Sequence, residues 1–204
     1  MVAVINDPWL EEHIIAERRA SGADRYDEVW EGVYIMTPLA NNEHQKLITG
    51  ITTVLATVVQ WEELGTVFPG INVSDREDDW IKNYRCLDVA VYLNDTQAEN
   101  CETHWYGGPD FAVEIISPND HAREKLEFYA KVNTRELLIV DRDPWALELY
   151  RLQDKQLVLA AKSTLDDSAV LNSEAVPLSW QLLPGDKRPK IKVAHTDGKQ
   201  RWEI

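Results

Sequence analysis

Cysteine is nearly absent from this chain. Cys86 and Cys101 are the only two. Their spacing makes neither a metal knuckle nor a disulfide framework, so both read as structural thiols in a reducing cytoplasm. Long apolar runs are missing as well. The longest uncharged stretch, residues 47–61, holds four Thr and one Gln and is too short and too polar to span a bilayer. No basic start leads into an apolar segment, so no secretory leader is expected. Basic residues are outnumbered, with 21 Lys and Arg against 35 Asp and Glu and a net charge of -14. Proteins that grip nucleic acid through its phosphates usually carry a basic patch. Here the main basic cluster, residues 187–192 (KRPKIK), reads as a solvated loop entering a strand. Net charge does not fix charge distribution, so a local basic surface around a site stays open. No internal repeat or low-complexity segment is present.

What is there suits an ordinary globular protein. The 204 residues are 44% hydrophobic and 27% charged, enough for one domain with its own core.

The most informative stretch is residues 109–131, PDFAVEIISPNDHAREKLEFYAK. Residues 111–116 form a short apolar run between Gly107-Gly108-Pro109 and Ser117-Pro118, and predict a buried strand. Glu114 sits in its middle. A carboxylate there is costly unless something pairs with it, so a structural partner or a metal ion is expected. Asn119 or Asp120 can cap a following helix. At about 100° per residue, Ala122, Leu126, Tyr129 and Ala130 share one face, and Arg123, Glu124, Glu127 and Lys131 the other. Lys125 projects inside the apolar arc. It must either carry its ammonium to the rim or meet a negative charge at the sheet.

A second acid is placed alike. Residues 85–93, RCLDVAVYL, alternate as a strand, with Cys86, Asp88, Ala90 and Tyr92 on one face. Asp88 has the small Ala90 beside it, as Glu114 has Ala112. If the two strands are neighbours, two carboxylates share one pocket. They repel unless a cation joins them, and a hard cation such as magnesium suits an oxygen pair.

The rest of the chain supplies a frame. Asp7-Pro8 opens a helix running to about residue 20, with a modest apolar face. Residues 26–30 and 33–36 predict a hairpin turning at Glu31-Gly32. Asn41 or Asn42 caps a long helix to about residue 64, where Gly65 stops it; Leu47, Ile48, Ile51, Val54, Leu55, Val58 and Val59 form its core face. Glu43 and His44 stand in its first turn, where dipole and capping roles are the ordinary ones. Residues 66–73 predict a strand, 74–83 an acidic hairpin tip lacking the spacing of a calcium loop, and 94–108 a polar connection. Strands are expected at 136–141, 145–152 and 156–161, then as short pieces at 169–171, 191–193 and 201–204, the last two joined by a turn at Asp197-Gly198.

From residue 26 to residue 150 this order resembles the Uma-two-type family of restriction-endonuclease-like proteins, within the PD-(D/E)XK nuclease superfamily. YDEVWEGVYIMTP, NEHQK, RCLDVAVYL, PDFAVEIISPND and EKLEFYAKVNTRELLIVD carry the resemblance. It implies an α/β (α+β) fold: a restriction-endonuclease-like core with a mixed central β-sheet flanked by helices, and further β-hairpins at both ends. On that frame residues 1–25 are an N-terminal helix, 26–152 the core and 153–204 a β-rich extension of a single domain. The resemblance implies that Asp88 and Glu114 are catalytic and metal-binding. The superfamily's Lys normally lies two residues after the second acid, where this chain has Ile116, so Lys125 on the next helix becomes the catalytic candidate, with Tyr129 in support. Glu43 or His44 matches a polar group at the start of the helix before the sheet. The residue before the metal-binding Asp is usually Pro and here is Leu87; Arg85 keeps the family's basic position.

The activity so implied is magnesium- or manganese-dependent hydrolysis of phosphodiester bonds in nucleic acid, DNA being favoured, by a cytoplasmic endonuclease. Asp88, Glu114 and the Ile115 carbonyl would hold the metal. Two alternatives stay open: a non-catalytic, homodimeric binding or scaffold domain that keeps the nuclease fold, and a sugar hydrolase with paired carboxylates. In the scaffold reading Lys125 simply pairs with Glu114.

Overall fold

The computed structural model of the protein describes residues 8–38, 40–116 and 122–204. Asp7, the Ser117-Pro118 strand break and the Asn119 or Asp120 cap lie outside the described residues. Helix α1 (Pro8–Ser21) keeps no residue from 9 to 21 fully buried, in line with its weak apolar face. The hairpin forms as β1 (Glu28–Trp30) and β2 (Val33–Ile35), turning at Glu31-Gly32. Both turn residues have positive φ, which glycine tolerates at no steric cost. Asn41 caps α2 (Asn42–Leu55) by accepting from the His44 N–H. A π turn (Ala56–Gln60) extends α2, so the helical run stops short of the residue 64 expected from sequence.

Strands β3 (Gly65–Ser74) and β4 (Tyr84–Leu93) pair antiparallel around the acidic tip. That tip is less solvated than its composition predicts, because Lys131 and Asn83 hold Asp75. The polar connection contains two brief strands, β5 (Glu99–Asn100) and β6 (Trp105–Tyr106). Then come β7 (Phe111–Ile115), a 3-10 turn (Ala122–Lys125), α3 (Leu126–Lys131), β8 (Glu136–Arg142), β9 (Trp145–Gln153) and β10 (Gln156–Thr164). The expected single helix thus begins as a tighter 3-10 turn, which changes where Lys125 points relative to a regular 3.6-residue repeat.

The main sheet runs in the order β10-β9-β8-β7-β4-β3-β6-β5, with the β1–β2 hairpin attached to β4. It is mixed: β7 and β8 are parallel, as are β3 and β6. Beyond residue 164 a second, antiparallel sheet forms from β11 (Leu171–Asn172), β12 (Leu178–Leu183), β13 (Lys190–His195) and β14 (Arg201–Glu203). β12 was not anticipated from sequence; its LSWQLL alternation buries Leu178, Trp180 and Leu182 completely.

Two apolar layers hold the main sheet. Phe111, Val113, Ile115, Val89 and Val91 face α2 and the second sheet, where Trp180 stacks on Phe111. Ala112, Ile116, Ala90 and Tyr92 face α3, with Phe128 and Tyr129. Glu136, at the start of β8, accepts from Arg151, Ser173 and the N–H groups of Glu174 and Ala175, which ties the C-terminal segment to the main sheet. Among the described residues no helix is long and apolar enough to cross a membrane.

Candidate functional site

β4 and β7 are neighbours, in the register Val89–Val113, Ala90–Ala112 and Val91–Phe111. The two alanines predicted to leave room beside the acids therefore lie directly opposite each other. The described pairing stops at Val89–Val113, one step before Asp88 and Glu114 would meet. There the Asp88 carboxylate takes over from the ladder: its Oδ2 accepts the Ile115 N–H at 2.7 Å. His44, at the start of α2, brings Nε2 to the same oxygen at 3.2 Å. A carboxylate accepts, so Nε2 carries the proton in this arrangement. His44 is buried, and its Nδ1 has no hydrogen-bond partner among the described residues.

Glu114 belongs to the α3 face of the sheet and is 4% exposed. Its Oε1 accepts from the Tyr129 hydroxyl and from Lys125 Nζ, the latter at 3.2 Å. Lys125 is itself 8% exposed, so its ammonium does not reach the rim; it meets negative charge at the sheet. Tyr129 supports the acid, not the lysine as first expected, because one helical turn beyond Lys125 it packs over Glu114.

A third acid completes the cluster. Glu28 on β1 is buried and accepts from Lys125 Nζ at 2.8 Å, from the Cys86 N–H at 2.9 Å and from Trp30 Nε1 at 2.7 Å. Sequence reading passed over it. The signal was available: Glu28 is a carboxylate inside a predicted strand, the argument that picked out Asp88 and Glu114. Arg85 buttresses this corner. It lies buried between the rings of Trp30 and Phe128, with its guanidinium carbon 4.6 and 4.2 Å from their centroids, and donates to the Val29 carbonyl. Burial lowers its pKa.

Glu43 goes elsewhere. Arg188 pairs with it from the loop between β12 and β13, and Arg188 also lies over Trp145. The basic cluster at 187–192 therefore contributes a half-buried joint between α2 and the second sheet, as well as the strand β13. Of the two candidates in the first turn of α2, His44 is the one brought to the acids.

The electrostatics are those of an acid cluster short of positive charge. Burial raises the Glu114 pKa; the Lys125 charge and the Tyr129 bond oppose the rise, while Asp88 and Glu28 add to it. Burial likewise pushes the Tyr129 hydroxyl and the Cys86 thiol well up, with neighbouring carboxylates adding to both.

The donor set fits a hard cation. Every hydrogen bond that Asp88 and Glu114 accept from described residues falls on Oδ2 or Oε1, leaving Oδ1 and Oε2 for a cation. In an extended strand a residue's N–H and C=O point to the same side, so the Ile115 carbonyl faces the Asp88 side. No group of three or more His, Cys, Asp and Glu side chains is gathered for a metal among the described residues. Two carboxylates and a carbonyl are oxygen donors of the kind that hard divalent cations take, with water completing the shell.

The family model Uma2, described as "Putative restriction endonuclease", matches residues 14–185. No curated protein matches the chain. Among solved structures, the chain is similar to a crystal structure described as "a putative nuclease belonging to DUF820" from Anabaena variabilis. The TM-score is 0.56 and the identity 18%, over 73% of this chain and 82% of that one. At that identity the likeness is one of fold, and it agrees with the mixed sheet and flanking helices found here. The family match takes in Glu28, His44, Asp88, Glu114, Lys125 and Tyr129 together, and on that match the chain belongs to the Uma2 restriction-endonuclease family.

Proposed function

We propose that this chain is a divalent-metal-dependent endonuclease that hydrolyses phosphodiester bonds of DNA at the Asp88–Glu114 site. The observation that carries the reading is the pairing of two acid strands with a buried lysine reaching Glu114 at 3.2 Å. Restriction-endonuclease-like proteins generally use divalent metals. Asp88 and Glu114, with the Ile115 carbonyl, are the residues that would hold the ion. Bound there, magnesium or manganese would supply charge neutralisation at the phosphate and a lowered pKa for an attacking water.

The protein's own groups do the rest. His44 and the Ile115 N–H fix the Asp88 carboxylate, and Tyr129 fixes Glu114, so neither acid must reorganise when substrate arrives. The Lys125 ammonium stands beside Glu114 to stabilise charge developing on the phosphoryl oxygens. Burial of Glu28, Glu114 and Lys125 keeps water from screening these charges.

The test pairs calorimetry with a nicking assay. Wild type is expected to bind Mn2+ and to nick supercoiled DNA, and Asp88→Ala and Glu114→Ala to lose both. Unchanged cation binding and nicking in both variants would overturn the assignment. One observation favours a second reading, a non-catalytic scaffold. Lys125 between Glu28 and Glu114 meets part of the electrostatic demand that a cation would meet. Under that reading the wild type binds no divalent cation at this site.

A further inference from the structure

Lys125 stands between two carboxylates that are not equivalent. Glu28 Oε1 receives the ammonium at 2.8 Å, against 3.2 Å for Glu114 Oε1. Glu28 is also pinned by two neutral donors, the Cys86 N–H and the Trp30 indole N–H. Glu114 is fixed on its strand and by Tyr129. Both acids are thus held by donors other than the lysine, whose ammonium is a point charge on a four-carbon stem with several rotatable bonds.

A divalent cation on Glu114 and an ammonium on the same carboxylate repel each other strongly in a buried site. One of them must give way. If the lysine left the pocket, its charge would be lost to the site. We propose that Glu28 is a positioning residue that receives the Lys125 ammonium when a divalent cation occupies Glu114, clearing the acid pair while keeping the lysine beside it. The proposal rests on the reading of Asp88 and Glu114 as cation ligands. Glu28 stands outside that ligand set; its charge also bears directly on Glu114, and the part that acts through Lys125 is the part of the Glu28→Gln effect that disappears in the Lys125→Met background.

The exchange has a thermodynamic signature that needs no turnover. Without the Glu28 charge, Glu114 is the remaining described carboxylate partner of Lys125, and the ammonium competes with the cation for it. Mn2+ is titrated by calorimetry into the full chain as wild type, Glu28→Gln, Lys125→Met and Glu28→Gln/Lys125→Met, each with a thermal melt. Glu28→Gln is expected to bind about tenfold more weakly than wild type, the effect of returning part of one positive charge to a ligand carboxylate. Lys125→Met and the double variant are expected to bind at least as tightly as wild type, because no ammonium competes. A merely structural Glu28 would leave the double variant as weak as Glu28→Gln.

Wild-type affinity in Glu28→Gln, or a double variant as weak as that single one, overturns the exchange while leaving the cation site intact. Should Glu28→Gln fail to fold, Lys125→Met decides alone: weaker binding than wild type there overturns the proposal. Absence of Mn2+ binding by folded wild type overturns the exchange and the cation site together.

Discussion

Replacing Lys125 by Met removes the positive charge that Glu28 and Glu114 share and leaves a side chain of similar length. At an effective dielectric of about 20, contacts at 2.8 and 3.2 Å correspond to about 6 and about 5 kcal/mol of gross attraction. Burying the ammonium takes back several kcal/mol of this, so the whole sum is not lost. Removing one partner from a buried ion pair typically costs about 3–5 kcal/mol, because the remaining charges stay buried without compensation. That range is expected for Lys125→Met, a large share of the roughly 5–15 kcal/mol that holds most domains folded. The measurement is urea unfolding at about pH 9.5, where Glu114 is ionised in the wild type, in the presence of a chelator. Lowering the pH should shrink the loss. Burial already raises the Glu114 pKa, and a protonated Glu114 beside Asp88, Glu28 and Tyr129 needs no counter-charge. Added Mn2+ should shrink it too. A ligand at a hundred times its Kd stabilises a fold by about 2.7 kcal/mol, and the variant, with no competing ammonium, gains more than wild type at equal concentration. A variant within about 1 kcal/mol of wild type at about pH 9.5 without metal would refute the view that this ammonium neutralises the cluster.

Two further outcomes bear on the frame. Trp180→Ala deletes a fully buried ring stacked on Phe111 with centroids 5.9 Å apart; a loss of about 3–5 kcal/mol in the unfolding of the whole chain is expected, and a loss confined to a separate minor transition would show that the second sheet folds apart from the first. Lys162→Met should flatten the acid side of the stability profile. Burial acts to raise the Glu148 pKa, but the Lys162 and Tyr150 hydrogen bonds and the Arg123 charge hold it below its ordinary 4.5. A depressed folded pKa contributes stability that is present above 4.5 and lost as pH falls through the folded value, so melting temperatures of the two proteins should converge toward low pH; parallel curves would contradict the assignment.

Much of the site could be read from sequence because a buried strand makes a charged residue conspicuous. Asp88 stands out by alternation, Glu114 by its place inside a short apolar run, and Lys125 by its place inside an apolar arc. On β1 the same sign is present but faint: Glu28 is a carboxylate in a predicted strand, yet three residues form no apolar run long enough to set it off. Which partner each group would choose was less legible. Tyr129 bonds Glu114, and Arg188 takes Glu43, through contacts set by how distant segments pack. Local signals also misjudge helix ends. Gly65 marks where the helical region must have stopped, but the π turn closes it earlier, and the 3-10 turn before α3 has no sequence mark as plain as a cap. β12 was passed over because it lies among short strand-like pieces with no turn signal of comparable strength.

The four charged groups also tie the pocket to the completed fold. They come from residues 28, 88, 114 and 125, and Glu28 and Lys125 are 97 positions apart. β1 pairs with the main sheet through a single ladder pair, Val29–Tyr84, and otherwise through side-chain bonds such as Glu28 with the Cys86 N–H. β7 and β8 run parallel, so the chain must cross over between them, and the crossover carries Lys125. A growing chain that has made β4 and β7 but not the crossover holds carboxylates on adjoining strands with no counter-charge, and like charges so placed weaken a sheet. The acids thus act against the half-built protein and favour the finished one. Relief comes only when the segment bearing Lys125 closes over β7. The pocket is therefore a property of the finished fold, complete only where segments 97 positions apart meet.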